Sequence, residues 1–299
     1  MGGMLTASDF ARLREVRSRR PHEIVEALRA RTRREILGED DRMFIVAADH
    51  PARGALAVGP DATAMADRYE LLDRLATALS RPGVDGVLGT PDIIDDLAAL
   101  GLLDGKVVVG SMNRGGLRSA SFEMDDRFTG YDVQSLIDSR LDFAKTLMRI
   151  NFDDDGTSAT LEATARAVTQ AAAARLPIML EPFVSEWKDG HVVNDLSPDA
   201  VIRSIAIAAG LGGSSAYTWM KLPVVADMER VMAATTMPTV LLGGDSPDDP
   251  DETFAAWEDA LSLPGVRGLT AGRTLLYPPD GDVAAAVDIA ARLVHPALI

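Results

Sequence analysis

Short apolar runs alternate with longer amphipathic stretches between residues 43 and 294. The eight runs have at most eight residues each and are rich in Val, Ile and Leu, as expected of parallel strands covered on both faces. They are MFIVAAD (43–49), VDGVLGT (84–90), KVVVGS (106–111), KTLMRINF (145–152), PIMLEPF (177–183), YTWMKL (217–222), PTVLLGG (238–244) and VRGLTAG (266–272).

The stretches between the runs have helical spacing of apolar residues, for example over 61–80 and 157–176. Cap-like residues predict helix starts at Asp61, Thr157 and Ser197. Eight strands that alternate with helices predict an α/β fold, a single (β/α)8 TIM barrel. A doubly wound open sheet is the alternative, but the first run ends in Asp-His-Pro rather than in the expected Gly-rich turn.

The residues before the first run predict an N-terminal helical extension over 1–42, followed by the barrel over 43–299. Two helices broken at Pro21 are expected there, and nine of residues 7–37 are arginine. We interpret this segment as a helical cap over the bottom of the barrel. A basic arm that binds an acidic partner is the alternative.

The composition excludes several classes of function. The chain has 299 residues, 47% of them hydrophobic, and a formal net charge of −15. This charge argues against a general affinity for nucleic acid or for an anionic membrane. The chain has no cysteine, so it has no disulfide scaffold, cysteine-based zinc site or thiol nucleophile. We expect a cytoplasmic protein, since the start lacks a signal-peptide pattern and no apolar run reaches membrane-spanning length.

Lys221 is the most informative polar residue at a strand end. It closes the run YTWMK, where period-two alternation puts it on the same face as Tyr217 and Trp219. If this face points into the barrel, burial and neighbouring cations lower the pKa of Lys221, and a neutral amine can form a Schiff base with a carbonyl. A lysine that simply reaches solvent is the alternative.

Other charged residues close neighbouring strands. Glu181 ends the fifth run, where an isolated carboxylate would be costly to bury, and Lys221 or Arg149 is its expected partner. Asp49 ends the first run at the same level. Charged groups that converge from four strands favour a reactive centre over a structural ion network.

The last two runs predict an anion site. GGDS (243–246) and AGR (271–273) place glycines where backbone N–H groups can approach a phosphate, the usual phosphate position in such barrels. We therefore expect Gly243, Gly244, Gly272 and Arg273 to bind phosphate. A long loop over 112–133 is a candidate lid, and four scattered histidines predict no metal site.

The motifs AADH, LEPF, MK, GG and TAGR, in this order, resemble those of the class I, Schiff-base aldolases of the deoxyribose-phosphate/tagatose-bisphosphate aldolase superfamily. The chain is similar to tagatose-bisphosphate and archaeal-type fructose-bisphosphate aldolases over about residues 43–294. The resemblance implies Lys221 as the Schiff-base lysine, Glu181 as the proton-transfer group and Asp49 as a hydroxyl-binding or relay residue. No metal or cofactor is implied. Substrate-binding roles are expected for Arg149, Asn151, Trp219 and His50.

The chain also departs from these families. Tagatose-bisphosphate aldolases have a lysine inside strand 4, and alignment on the end of that strand puts its place at Leu147, with Arg149 as a candidate replacement. Archaeal-type fructose-bisphosphate aldolases have a tyrosine where this chain has Glu181. The chain further resembles an actinobacterial branch associated with inositol catabolism, which implies 2-deoxy-5-keto-gluconate 6-phosphate as substrate.

The expected partner is therefore a phosphorylated ketose or keto sugar acid phosphate, cleaved to dihydroxyacetone phosphate and an aldehyde. Two other functions stay open at this point. One is a non-catalytic sugar-phosphate-binding barrel, and the other is an isomerase that uses Glu181 as base without an imine. The oligomeric state, including a homo-oligomer, is also left open.

Overall fold

Eight parallel strands form a closed barrel, as the alternation of the sequence predicts. The computed structural model describes residues 3–244 and 250–297. The barrel strands, in chain order, are β1 (Met43–Ala47), β2 (Gly86–Gly89), β3 (Val107–Ser111), β4 (Phe143–Ile150), β5 (Ile178–Lys188), β7 (Thr218–Pro223), β8 (Thr239–Leu242) and β9 (Val266–Ala271). Each strand pairs in parallel with the next, and β1 with β9 closes the ring. The fold prediction is confirmed.

A ninth strand, β6 (His191–Asn194), was not predicted. It pairs antiparallel with the end of β5, which runs five residues past the predicted end at 183. Asp189 and Gly190 both have positive φ values, 51° and 78°, as the two central residues of a tight hairpin turn require. This hairpin projects from the carboxyl end of β5 and reaches the mouth of the barrel.

Helices surround the barrel on the outside. They are α1 (Ala7–Arg19), α2 (His22–Ala30), α3 (Arg68–Ser80), α4 (Pro91–Ala99), α5 (Val133–Asp138), α6 (Gly156–Ala174), α7 (Pro198–Ala209), α8 (Met228–Met232), α9 (Pro250–Leu261), α10 (Arg273–Leu276) and α11 (Val283–Val294), with a 3-10 turn at His50–Arg53. Among the described residues, no helix combines the length and apolar character needed to cross a membrane.

The predicted helix caps are partly wrong. The helix expected to start at Asp61 begins only at Arg68, because the Asp67 side chain accepts the backbone N–H groups of Tyr69 and Glu70. Asp61 instead forms a bridge with Val58 in the preceding loop. Ser197 caps α7 as predicted, since its hydroxyl accepts the N–H of Ala200.

The N-terminal segment packs against this barrel through its arginines. Arg31 contacts Asp142 at 2.7 Å in a buried ion pair, and Arg34 contacts Asp85 at 2.5 Å. Both acids stand at the amino ends of strands, at the bottom of the barrel. These intramolecular pairs favour the interpretation as a cap over the acidic-partner alternative. The division at residue 42 stays a prediction.

The apolar core has two layers, one inside the barrel and one between the strands and the helices. Side chains that point inward form the lower interior layer, made of Met43, Ile45, Ala47, Leu88, Val107, Val109, Phe143, Met179 and Val240. All of them are at most 2% exposed. The larger layer lies between the strands and helices. Apolar side chains fill the lower interior. The polar side chains that follow them on the same strands therefore lie toward the carboxyl end of the barrel.

Candidate active site

Two acids and two lysines form a continuous chain at the carboxyl end of the barrel. The Nζ of Lys221 donates to Oε1 of Glu181 at 2.6 Å. The Nζ of Lys145 lies 2.7 Å from Oε2 of the same carboxylate, in a second ion pair. It also donates to Oδ2 of Asp49 at 2.8 Å. Four strands or strand ends thus each contribute one charged group.

The strand geometry explains how these groups meet. Lys145 on β4 and Glu181 on the adjacent β5 point into the barrel, as strand alternation requires. Lys221 points inward in the same way from β7, which pairs with β5 on its other side. Asp49 follows β1 across the barrel. A cluster of Leu147, Phe183 and Leu242 lies among the residues lining the same cavity. The ions therefore sit in an apolar frame that strengthens their interactions.

The pKa values of the two lysines move in opposite directions. Burial lowers the pKa of Lys221, and the ammonium of Lys145 lowers it further against the opposing effect of Glu181. Burial also disfavours charge on Lys145, but its contacts with Asp49 and Glu181 outweigh that effect and raise its pKa. Lys145 is thus the charged amine, and Lys221 is the amine that loses its proton more readily.

The carboxylates are held in the ionised form. Burial alone would raise the pKa of Glu181, but Lys145 and Lys221 together lower it to about 2. The pKa of Asp49 also falls far below its usual range, because the nearby positive charge, above all that of Lys145, outweighs the effect of burial. The centre therefore combines a poised amine with an ionised base in direct contact.

Lys145 corrects the prediction for strand 4. The sequence alignment put the basic residue of this strand at Leu147 or Arg149, but the structure brings Lys145 into contact with Glu181. Arg149 lies four residues farther along β4, beyond contact with Glu181, and forms an ion pair with Glu123 at 3.4 Å. Lys145, Leu147 and Arg149 share one face of β4, so strand alternation alone could have identified Lys145 as inward-facing.

The other predicted substrate-binding residues are only partly brought together. His50 and Arg149 line the cavity, whereas Trp219 packs in the lower interior with its ring edge-on to Phe143, 5.4 Å between centroids. Asn151 lies outside the cavity in a turn, where its side chain accepts the N–H of Asp153. The structure thus gives Trp219 and Asn151 no position from which to contact a ligand in this cavity.

His50 is a neutral side chain in the cavity wall. Burial lowers the pKa of His50 to about 3, and the positive charges of Arg273, Arg53 and Lys221 add to this effect against Asp49. Its Nδ1 is buried with no hydrogen-bond partner among the described residues. Burial is the main cause of the low pKa, and Arg273 and Arg53 add positive charge to this part of the cavity.

The predicted phosphate-binding residues gather at the ends of β8 and β9. Gly243, Gly244, Gly272 and Arg273 all line the cavity. Thr274 Oγ1 donates to the carbonyl of Gly243 at 3.4 Å and so links the two turns. A side chain at Gly272 would collide with the carbonyl of Ala47, 2.4 Å from its Cβ, which explains the glycine there. Asp245 and Ser246 of the GGDS motif lie outside the described residues.

The cavity itself has a volume of about 850 Å³, enough for a phosphorylated sugar. The loop after β3, the candidate lid over 112–133, contributes Arg114 and Glu123 to the cavity wall, and its role as a lid stays a prediction. Two further segments were not assigned to the site from the sequence: the 3-10 turn, which contributes Arg53, and the β5–β6 hairpin, which contributes Asn194. The Asp-Gly pair at 189–190 was the available signal for this hairpin.

Comparison with known proteins defines the family. A family model described as Cgl0159-like matches residues 41–291. The chain belongs to the Cgl0159-like family. A solved structure of Cgl0159 from Corynebacterium glutamicum is 71% identical, has a TM-score of 0.97 and covers 99% of both chains.

Two more distant relatives share most of the length of this Cgl0159-like chain. A 2-amino-4,5-dihydroxy-6-oxo-7-(phosphonooxy)heptanoate synthase of Streptomyces griseus is 26% identical over 263 residues, 86% of each chain. An archaeal fructose-1,6-bisphosphate aldolase was solved with its catalytic lysine bound covalently to the carbinolamine intermediate of the substrate. It is 21% identical, with a TM-score of 0.63 over 91% of this chain and 99% of its own, and therefore has the same fold.

Proposed function

We propose that this protein is a class I aldolase, which cleaves a phosphorylated ketose or keto sugar acid phosphate through a Schiff base on Lys221. The observation that carries the proposal is the contact between Lys221 and Glu181 beside the charged Lys145. A buried amine with a lowered pKa is a nucleophile, and an ionised carboxylate at 2.6 Å is a base within reach of the same substrate carbon chain.

The proposed reaction starts with attack of the neutral Lys221 amine on the substrate ketone. Loss of water from the carbinolamine gives a protonated imine. Glu181 then removes the proton of the hydroxyl β to the imine carbon. The bond between the α and β carbons breaks, and its electron pair moves into the imine to give an enamine and a free aldehyde. Protonation of the enamine and hydrolysis release dihydroxyacetone phosphate and regenerate the amine.

Lys145 and Asp49 control the charges of Glu181 and Lys221. The ammonium of Lys145 keeps Glu181 ionised and disfavours a second charge on Lys221. Asp49 in turn accepts from Lys145 at 2.8 Å and from the hydroxyl of Ser111 at 3.3 Å. We assign Asp49 the hydroxyl-binding or relay role, and the turns at Gly243–Gly244 and Gly272–Arg273 the phosphate. The imine serves as the electron sink, so the mechanism requires no metal.

The relatives support the reaction class. The product for which the Streptomyces synthase is named has a phosphorylated carbon next to a ketone and a hydroxyl group β to that ketone, the pattern that an aldol addition produces. The archaeal aldolase uses a catalytic lysine in the same fold. Within this class, 2-deoxy-5-keto-gluconate 6-phosphate is one keto sugar acid phosphate that fits the proposal.

Reductive trapping tests the proposal directly. The chain has only four lysines, at 106, 145, 188 and 221, so mass spectrometry can assign an adduct without ambiguity. Dihydroxyacetone phosphate with borohydride should leave a secondary amine on Lys221, and Lys221→Met should abolish it. Lys188→Met, at an exposed position on the hairpin, is the matched control. An active enzyme with no adduct on any lysine would favour the isomerase, and an inactive barrel that only binds sugar phosphates would favour the non-catalytic alternative.

A further inference from the structure

A second group of positive charges lines the cavity; it is centred on Arg149 and extends through Arg53 to the turn after β1, whose charge acts on both Arg149 and His50. We call it the arginine cluster, and it consists of Arg53, Arg114 and Arg149. Arg149 projects from β4, the fourth barrel strand, whereas Arg273 follows β9, the eighth. The fourth and eighth strands of a closed eight-stranded barrel lie across the ring from each other. Lys145 and Lys221 therefore stand between two cationic ends.

Arg149 is held firmly in this position. Its Nη1 donates to the carbonyl of Gly115 and lies 3.4 Å from Glu123, while its Nε donates to Asn194 at 3.4 Å. The loop after β3 and the β5–β6 hairpin therefore fix the guanidinium from two sides. The residue is 7% exposed, so the protein has taken a full charge out of water at a wall of the cavity. Pre-organisation of this kind is typical of ligand recognition.

The cluster carries more positive charge than its own acids compensate. Burial and, after it, the nearby charge of Arg53 together lower the pKa of Arg149 to about 10. The Nε of Arg114 is buried and has no hydrogen-bond partner within residues 3–244 and 250–297. Glu123 and Asp126 are the acids that act most strongly on Arg149, so three guanidinium groups face two nearby carboxylates. An anion between the guanidinium groups would relieve this imbalance.

The loop chemistry favours a carboxylate over a phosphate. Phosphate sites generally use several backbone N–H groups that point at the ligand. Here the amides of Gly116 and Gly115 face the carboxylate of Asp126, whose pKa they lower, and are thus directed at the protein itself. The donors left to the cavity are planar guanidinium groups, which match a carboxylate in a bidentate arrangement.

The geometry points to a second anion subsite, in which Arg149, Arg53 and Arg114 bind a carboxylate at the end of the substrate remote from its phosphate. This inference rests on the proposed function for its orientation. With the phosphate at the ends of β8 and β9, the carboxylate belongs to the half of the substrate that leaves as the aldehyde. The substrate class is then a keto sugar acid phosphate, and the released aldehyde bears a carboxylate.

Calorimetry with unreactive probes tests the subsite apart from catalysis. The probes are ω-phosphonocarboxylates with spacers of about three to six carbons, the alkylphosphonates of equal length and the matching bisphosphonates. In the wild-type protein, we expect the best phosphonocarboxylate to bind at least about tenfold more tightly than its alkylphosphonate, a factor typical of one charged hydrogen-bonded contact. Arg149→Met and Arg114→Met should each remove most of this advantage while leaving alkylphosphonate affinity unchanged.

Arg127→Met is the matched control, since Arg127 lies in the same loop segment, is exposed and pairs only with Asp125 among the described residues. It should keep the full advantage. Equal affinity of phosphonocarboxylates and alkylphosphonates would overturn the subsite, and so would an equal loss of affinity for all probes in the arginine variants. Tighter binding of the bisphosphonates would overturn the carboxylate assignment. Failure of the proposed function can be told apart from failure of the subsite. It would show as absence of the borohydride adduct on Lys221, independently of how tightly the probes bind.

Discussion

Lys145 and Lys221 contact opposite oxygens of the Glu181 carboxylate, at 2.7 and 2.6 Å, and their pKa values move in opposite directions. The asymmetry comes from Asp49, which contacts Lys145 and not Lys221. With two carboxylates as neighbours, Lys145 keeps its proton. Lys221 shares one carboxylate with a cation and gives up its proton more easily. The same four residues therefore assign the nucleophile and the fixed charge to different lysines.

Lys145→Met should lower turnover by about 10²–10⁴-fold while still permitting the adduct on Lys221. Removal of the ammonium raises the pKa of Glu181, since Lys145 is the larger of the two charges that lower it. The acidic limb of the kcat profile should accordingly move to higher pH. Trapping followed by mass spectrometry, together with a pH–rate profile, checks both effects. If the adduct in the wild-type enzyme is found on Lys145 instead of Lys221, the roles of the two lysines are reversed.

Glu181→Gln should retain imine formation but slow cleavage of the carbon–carbon bond by about 10²–10⁴-fold, the usual range for loss of a general base. The amide keeps the size of the side chain but cannot accept the hydroxyl proton. Single-turnover kinetics, with trapping at successive times, separates the two steps. Glu186→Gln, an exposed position on the same strand, is the control. A variant that cleaves at the wild-type rate would exclude Glu181 as the base.

Sequence patterning predicted the barrel and three of the four charged groups at its centre, because strand ends and alternation are local properties. Lys145 is not evident from the sequence because it stands at the start of its apolar run, and the motif alignment with related aldolases points to Leu147 instead. Depth inside the barrel depends on the register between strands, such as Leu147 opposite Glu181, which no single strand encodes. The displacement of Trp219 into the lower interior has the same cause.

Arg273→Ala should weaken binding of a phosphorylated substrate by about 10- to 150-fold, as expected for loss of one charge-assisted contact. The change should appear in KM for the phosphorylated ketose. Dihydroxyacetone, which has no phosphate, should show no such change. Arg267→Ala on β9, whose side chain is not among those lining the cavity, serves as control. An unchanged KM in the Arg273 variant would contradict the assignment of the phosphate to the ends of β8 and β9.

His295 joins the two ends of the chain at the bottom of the barrel, and its loss should destabilise the protein in a pH-dependent way. Its Nδ1 lies 2.6 Å from Asp40, its Nε2 lies 2.9 Å from Asp85, and the side chain is buried. These acids raise the pKa of His295 against the effect of burial. A raised pKa in the folded state means that the stabilisation is complete below about pH 6.5 and is lost as the pH rises through the pKa of the folded state.

Urea unfolding of His295→Gln should show a free energy of unfolding about 2–3 kcal/mol below that of the wild type at about pH 6, and this deficit should shrink toward about pH 9. The exposed His22→Gln should show no deficit at either pH. A deficit that stays constant with pH would mean that His295 acts through packing alone.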